Sequence, residues 1–241
     1  MRTALAVVLL GMVIFLTGCI SPSLHPFYTA KDLVFEPALV GSWEEQPDKD
    51  EAPSAKPPEV WAFKRSEGTE ESHANAYDLT VSVKDHVASY NAHLAKVGDT
   101  LFLDLFPEEI RIPEIKPESS ESQSPEEEAG DEVTALYMAH YIPTHSAWRL
   151  RLDGDMLWLS PLNSDWVAEQ AQKKTLRLRH EDVSGDCGGS GTPLLTASPK
   201  ELRKFLLKHA HDDKAFSSCS TYKRQKPAPP EPEKEEPAPA K

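Results

Sequence analysis

Apolar and polar residues alternate with a period of two along most of the chain between Val60 and His180. Such alternation is typical of β-strands, because it places one row of side chains on a core and the other in solvent or a cavity. The rows are Trp61, Phe63 and Arg65; Tyr77, Leu79, Val81 and Val83; Ala88, Tyr90, Ala92 and Leu94; Leu101, Leu103 and Leu105; Leu136, Met138, His140 and Ile142; Trp148, Leu150 and Leu152; 156–162; and 176–180. Asp153-Gly154-Asp155 between two such rows favours a hairpin. We predict a mostly β fold, an antiparallel meander of about eight or nine strands forming a barrel or a sandwich.

Two segments have helical features instead. Asn163 or Ser164 is suited to cap a short helix that runs to about Lys173. Ser198-Pro199-Lys200-Glu201 combines a capping hydroxyl, a proline at the first position and a glutamate at the third. Leu202, Phe205, Leu206 and Ala210 then recur at helical spacing. We expect this second helix to end near His211 and to pack on the sheet or close one barrel end.

Three stretches contain too few apolar residues to offset the entropy of ordering, and we predict that they are disordered. Two of them, 46–58 and 114–131, are acidic loops inside the β domain, and the third is the Pro/Glu-rich tail 225–241. The predicted organisation is therefore a leader over 1–18, a tether and packing segment over 19–38, a β domain over 39–224 and the tail.

The leader ends in Leu16-Thr17-Gly18-Cys19, after a positively charged start and an apolar run too short to span a membrane. This motif resembles the lipobox of bacterial lipoprotein precursors. The resemblance implies cleavage between Gly18 and Cys19, and attachment of lipid (diacylglycerol and an acyl chain such as palmitate) to Cys19. Ile20, where an aspartate commonly signals inner-membrane retention, favours the outer membrane facing the periplasm in a diderm cell. The alternative is a core cysteine after an ordinary signal peptide.

The net charge of −13 argues against nucleic acid as a partner and against extensive electrostatic binding to anionic lipid headgroups. Of the three cysteines, Cys187 and Cys219 remain once Cys19 carries lipid. An even number of cysteines in an exported protein predicts a disulfide between them.

Gly185-Asp186-Cys187-Gly188-Gly189 resembles the nucleophile loop of chymotrypsin-like cysteine proteases. The resemblance implies that Cys187 attacks the substrate with the help of a histidine base. The sequence contexts of His73 and His140 depart from that family's pattern. A glycine-rich loop that holds the predicted disulfide explains the same residues. Because the sequence contains no complete catalytic constellation, we predict that the protein is not an enzyme.

Gly41-Ser42-Trp43 resembles the first-strand Gly-x-Trp motif of lipocalins, whose tryptophan plugs the closed barrel end. In that family an arginine from the final strand packs over the tryptophan, and Arg177 or Arg179 matches it by position. The resemblance implies a barrel with an apolar cavity for a small ligand. A packed core around Trp43, without a ligand, is the alternative.

Arginines occupy one face of two predicted strands, as Arg149 and Arg151 on one and Arg177 and Arg179 on the other. If the strands are neighbours, these residues form a patch suited to carboxylates or phosphates. The alternative is an outward polar row paired with local acids. The nine histidines lack the spacing of metal ligands, and we expect no metal and no cofactor other than the lipid.

The leading hypothesis is a lipid-anchored, non-enzymatic binding or structural module of the bacterial cell envelope, with a small apolar or amphiphilic ligand if the barrel encloses a cavity. One alternative is an envelope cysteine hydrolase that uses Cys187. The other is a protein-interaction scaffold, with the tail docking an envelope partner.

Overall fold

The computed structural model of the chain describes residues 20–47, 57–67, 75–84, 86–108, 142–182 and 193–226. Eleven strands lie in these ranges: β1 Pro22–Ser23, β2 Gly41–Glu45, β3 Val60–Arg65, β4 Ala76–Val83, β5 His86–Val97, β6 Thr100–Pro107, β7 His145–Asp153, β8 Met156–Pro161, β9 His180–Asp182, β10 Pro193–Leu195 and β11 Ser220–Arg224. There are also a 3₁₀ turn over Pro37–Leu39 and two helices, α1 over Ser164–Gln172 and α2 over Pro199–His209.

Eight strands form a closed antiparallel barrel in the order β6-β5-β4-β3-β2-β11-β8-β7, and β7 pairs with β6 to complete the ring. Every pairing in the ring is antiparallel. The short strands β1, β10 and β9 extend the sheet outward from β7. The predicted mostly β fold is confirmed, and of the two predicted architectures the protein adopts the barrel.

Large side chains fill the barrel interior, as the alternating pattern predicts. The buried interior residues are Leu39, Trp43, Trp61, Phe63, Tyr77, Leu79, Ala92, Leu94, Leu103, Leu105, Leu150, Leu157, Leu159 and Tyr222. The ring of Trp61 lies 5.4 Å from that of Trp148 and 5.7 Å from that of Tyr222, measured between centroids. Ring contacts of this kind join strands on different sides of the barrel and pack its centre.

A second core lies between the outer wall of the barrel and the elements packed on it. It contains Phe27, Ala95, Val97, Phe102, Ala147, Leu162, Trp166, Val167, Leu178, Leu195, Ala197, Leu202, Leu206, Ala210, Ala215 and Phe216. The two helices contribute Trp166, Val167, Leu202 and Leu206 to it, so both helices pack on the sheet.

Both helix starts agree with the sequence. The side chain of Asn163 accepts a hydrogen bond from the backbone N–H of Trp166 at 2.9 Å and caps α1. At the start of α2, the Glu201 carboxylate accepts from both the backbone N–H and the hydroxyl of Ser198. Helix α2 ends at His209, two residues before its predicted end.

Trp43 is fully buried in the barrel interior and donates its indole N–H to the Leu39 carbonyl at 2.9 Å. The guanidinium that covers its ring belongs to Arg224 of β11, 4.2 Å from the ring centroid. The assignment of this role to Arg177 or Arg179 was therefore wrong. Both residues precede β9 in a segment without regular structure, whereas Arg224 pairs directly with Trp43 in the β11–β2 register.

Two further strand predictions concern 176–180 and 136–142. The pattern over 176–180 predicted a strand, but the segment is irregular up to Arg179 and β9 begins at His180. Of the predicted strand over 136–142, only Ile142 lies within the described residues. The loops 46–58 and 114–131 and the tail fall almost entirely outside them, so the predictions of disorder stay predictions.

The N-terminal strap, residues 20–36, lies along the outer wall of the barrel. Ile20 forms a bridge with Asn163, and β1 pairs with both β7 and β10. Further along, the Val34 N–H donates to the Leu94 carbonyl at 2.9 Å. Backbone pairing therefore holds the strap to the barrel from its first described residue.

Candidate functional sites

A half-open groove with a volume of about 500 Å³ lies on the outer wall of the barrel. We call it the outer-wall groove. It is lined by Asp99, Thr100, Leu101, Arg149, Leu150, Arg151, Leu152, Trp158, Ser160 and Cys219. Its size falls within the range of small-molecule sites, roughly 300–1,000 Å³.

Strand register sets which side chains line the groove. On β7, Leu150 and Leu152 point into the barrel, so Arg149 and Arg151 point outward. Arg151 lies opposite Trp158 in the pairing of β7 with β8, and Arg149 lies opposite Ser160. Two arginines, an indole and a hydroxyl thus share the outer surface of the β7–β8 pair.

Arg151 places its guanidinium carbon over the Trp158 ring, 3.7 Å from the ring centroid. Its side chain is exposed. Among the described residues no carboxylate lies within ion-pair distance of Arg151. The contact restricts the position of the guanidinium and leaves its N–H groups available to a ligand.

Arg149 is more fully engaged. It donates to the carbonyls of Ala210 and Phe216 at 3.2 and 3.4 Å and lies 5.2 Å from the Phe216 ring. It also forms a 3.3 Å ion pair with Asp213, whose side chain is 92% exposed. An ion pair with so exposed a partner contributes only about 0–1 kcal/mol.

The predicted patch of four arginines required the two pairs to lie on neighbouring strands. Arg177 and Arg179 precede β9, which pairs with β10 rather than with β7. The backbone carbonyl of Arg179 accepts from Thr196, the residue after β10. The groove therefore brings together Arg149 and Arg151 and does not include Arg177 or Arg179 in its lining.

Cys219 lies at the edge of the groove and is exposed. Its predicted disulfide partner Cys187 lies outside the described residues, as do Gly18 and the lipid-attachment residue Cys19. The disulfide, the cleavage site and the lipid attachment therefore stay predictions.

A second polar feature is buried under the strap. Asp104, which is fully buried, extends from the outer face of β6 because Leu103 and Leu105 face inward. His145 Nδ1 lies 2.7 Å from its Oδ2. Burial raises the pKa of the Asp104 carboxyl above its ordinary value, against the opposing effects of His145, His93 and the Tyr28 hydroxyl.

Tyr28 brings the strap into this polar cluster. Burial, and then the neighbouring Asp104 carboxylate, raises the pKa of the Tyr28 hydroxyl well above its ordinary value. Its ring lies 5.4 Å from that of His93, and the ring of Phe106 lies 4.6 Å from that of His145. The cluster is therefore a group of buried polar side chains beside the apolar second core.

A small cavity of about 20 Å³ adjoins the cluster. Ser21, Ser23, Asp104 and His145 contribute to its lining, and the buried Ser21 hydroxyl has no hydrogen-bond partner among the described residues. This volume holds about one water molecule and is too small for an organic substrate. A Ser/His/Asp grouping here is therefore suited to holding the strap and a water molecule rather than to catalysis.

The sequence did not single out Asp104 or His145. Asp104 occupies a polar position in an alternating row, and the pattern alone assigns such a position to solvent. The strap and helix α2, which both lie over this part of the outer wall, bury it. A possible signal was the pair Phe102 and Phe106 on either side of Asp104, since two aromatic residues on an outward face imply a covering layer.

No cluster of three or more His, Cys, Asp or Glu side chains in the described ranges is arranged to hold a metal ion. Within the same ranges no helix has the length and apolar character needed to cross a bilayer. Comparisons of the chain with protein-family models, curated proteins and solved structures found no match.

Proposed function

We propose that this protein is a bacterial lipoprotein whose barrel serves as a binding module held directly against the membrane of the cell envelope. The observation that supports the proposal is a backbone pairing close to the predicted lipid-bearing Cys19. Ile20, the first described residue, already forms a bridge with Asn163. Consecutive Cα atoms are about 3.8 Å apart, so the acyl chains emerge beside the folded domain.

The strap leaves little freedom between lipid and barrel. The Ser21 N–H donates to the Leu162 carbonyl at 3.1 Å, and Phe27 is buried in the second core. Several acyl chains on one cysteine hold a protein stably to a bilayer. An acidic chain gains little from anionic headgroups, so the covalent lipid supplies the attachment.

The packing of the barrel favours binding on its outside. Trp43, Trp61, Phe63, Tyr77 and Tyr222 are among the buried residues of the interior. A small ligand in the interior would have to displace such side chains, at a cost of several kcal/mol each. A ligand in the outer-wall groove displaces no core side chain, and the groove presents polar groups suited to binding.

Mass spectrometry of the protein extracted from membranes tests the anchoring. We expect the mature chain to begin at Cys19 with a mass increase equal to diacylglycerol plus one acyl group. The variant Cys19→Ser should keep its leader and gain no lipid mass. An unmodified N-terminus of the unmodified chain, or a lipid mass on Cys19→Ser, would disprove the proposal. Because Ile20 follows the cysteine, density separation should place the protein in the outer membrane of a diderm cell.

A further inference from the structure

We infer that the outer-wall groove binds a small ligand through an oxyanion, a carboxylate or phosphate group, held by Arg151 and Arg149. This inference rests on the binding role proposed for the barrel, and it does not depend on the lipid anchor. Two arginines on one wall set the chemistry that the ligand must present.

Arg151 is arranged in advance for such a group. A guanidinium free in solution loses side-chain entropy when a ligand fixes it, whereas contact with the Trp158 ring already restricts Arg151. The guanidinium can still donate two parallel N–H bonds to an oxyanion. The absence of a carboxylate partner for Arg151 within the described ranges leaves these donors to a ligand.

Arg149 supplies the second positive charge. It lies two residues before Arg151 on the same face of β7, about 7 Å away along the strand. Its hydrogen bonds to the carbonyls of Ala210 and Phe216 hold it in place. Asp213 is its exposed carboxylate partner, and a ligand oxyanion can replace that carboxylate at little cost.

The rest of the lining limits the ligand. Trp158 provides apolar surface beside the arginines, and Ser160 adds a hydroxyl. Asp99 carries a negative charge on the rim, and its carboxylate lies 3.2 Å from Nε2 of His211. The groove therefore suits a molecule that joins one oxyanion to a partly apolar body, and disfavours a long polyanion.

Isothermal titration calorimetry of the mature chain in neutral detergent tests the inference, with succinate and inorganic phosphate as separate probes at constant ionic strength. We expect saturable binding of at least one probe. Arg151→Gln should weaken that binding about tenfold or more, as expected for the loss of hydrogen bonds to a charged group. Asp213→Asn removes the competing carboxylate and should strengthen it about two- to fivefold.

Matched variants separate the site from general charge effects. Arg65 is also an exposed arginine on an aromatic ring, 4.6 Å from the centroid of Phe35, but on β3. Arg65→Gln should leave the affinity within about twofold of the unmodified chain. Asp182→Asn, an exposed aspartate on β9, serves as the control for Asp213→Asn. Arg151→Lys keeps the charge but loses the bidentate edge, and it should also weaken binding.

Three results would overturn the inference: no saturable binding of either probe, equal losses in Arg65→Gln and Arg151→Gln, or weaker binding in Asp213→Asn. If Arg151→Gln does not fold, judged by its circular dichroism spectrum, the Arg151→Lys and Asp213→Asn variants decide the question. None of these results bears on the lipid at Cys19, which the mass of the N-terminus tests independently.

Discussion

The guanidinium of Arg224 lies over the ring of Trp43 and joins the last strand of the barrel to its first. Arg224 also donates to the backbone carbonyls of Val40 and Ala38, just before β2. One side chain thus closes the sheet ring across a gap of 181 positions in the sequence (224 − 43). Bringing such distant residues together costs loop-closure entropy, and the contacts that Arg224 makes must offset this cost.

We expect Arg224→Ala to lower the free energy of unfolding by about 2 kcal/mol, because it removes a cation–π contact and two hydrogen bonds from a charged donor. Urea denaturation followed by tryptophan fluorescence measures the change. Arg65→Ala, the same substitution at an exposed aromatic contact, should cost less than about 1 kcal/mol. Equal losses in the two variants would contradict the closing role of Arg224.

Gly41 is required by both backbone and packing. Its φ of +131° is rarely adopted by other residues, and a Cβ at this position would lie 2.7 Å from Nη1 of Arg224. We expect Gly41→Ala to destabilise the barrel by roughly 1–3 kcal/mol in urea denaturation. In the control, Gly154→Ala, the added methyl meets open space at a φ of +57°. It should lose only about 1 kcal/mol, and a larger loss than in Gly41→Ala would refute the prediction.

Phe27 connects the strap to the second core. It is buried, and its ring contacts those of Tyr28 and Phe102 with centroids 5.5 and 6.0 Å apart. We expect Phe27→Ala to cost about 3–5 kcal/mol in unfolding free energy and to increase hydrogen exchange at the backbone N–H of Val34. Val87→Ala, at a side chain that is 65% exposed, should change stability by less than about 0.5 kcal/mol. Unchanged exchange would mean that the strap is held by other contacts.

Asp104 makes a pH-dependent contribution to stability. Burial raises the pKa of its carboxyl in the folded protein, so the folded state binds that proton more tightly than the unfolded state. The stabilisation that protonated Asp104 provides is complete below the ordinary carboxyl pKa. It is lost as the pH rises through the raised pKa of Asp104 in the folded protein. We therefore expect the stability of the unmodified chain relative to Asp104→Asn to fall as the pH rises above the ordinary carboxyl pKa.

Asp32 provides the control with the opposite sign. Burial alone would raise the pKa of Asp32, but hydrogen bonds from Thr29 and Arg203 lower it below its ordinary value. Its contribution is present above the ordinary carboxyl pKa and is lost as pH falls through the lowered value. Relative to Asp32→Asn, the unmodified chain should lose stability on acidification. Urea midpoints at several pH values test both slopes, and slopes of the same sign would contradict the assignment.

Residue patterns located most of the strands because each long strand has two different faces. In β6, Leu103 and Leu105 identified the inward side without knowledge of any partner strand. The same pattern missed β11, a short strand with the sequence Ser-Thr-Tyr-Lys-Arg. Only Tyr222 of this strand is buried, and a single apolar residue cannot show a period-two alternation. The alternation pattern therefore does not place Arg224 on a strand beside Trp43.

The candidate site was predictable only in part. Arg149 and Arg151 share a face because they are two residues apart on one strand, which follows from local geometry alone. Their separation from Arg177 and Arg179 depends on which strands pair. Asp104 and His145 are 41 positions apart and meet only because β6 pairs with β7.

By itself the sequence determined the β character, the inward rows and both helix starts, since these depend on residues within a few positions of one another. The tertiary structure decided the closure of the barrel through β11, the burial of Asp104 under the strap and the pairing of Arg151 with Trp158. Each of these depends on strand register between distant segments. The physical reason is that side-chain alternation and capping are short-range effects, whereas register is set by the packing of the whole sheet.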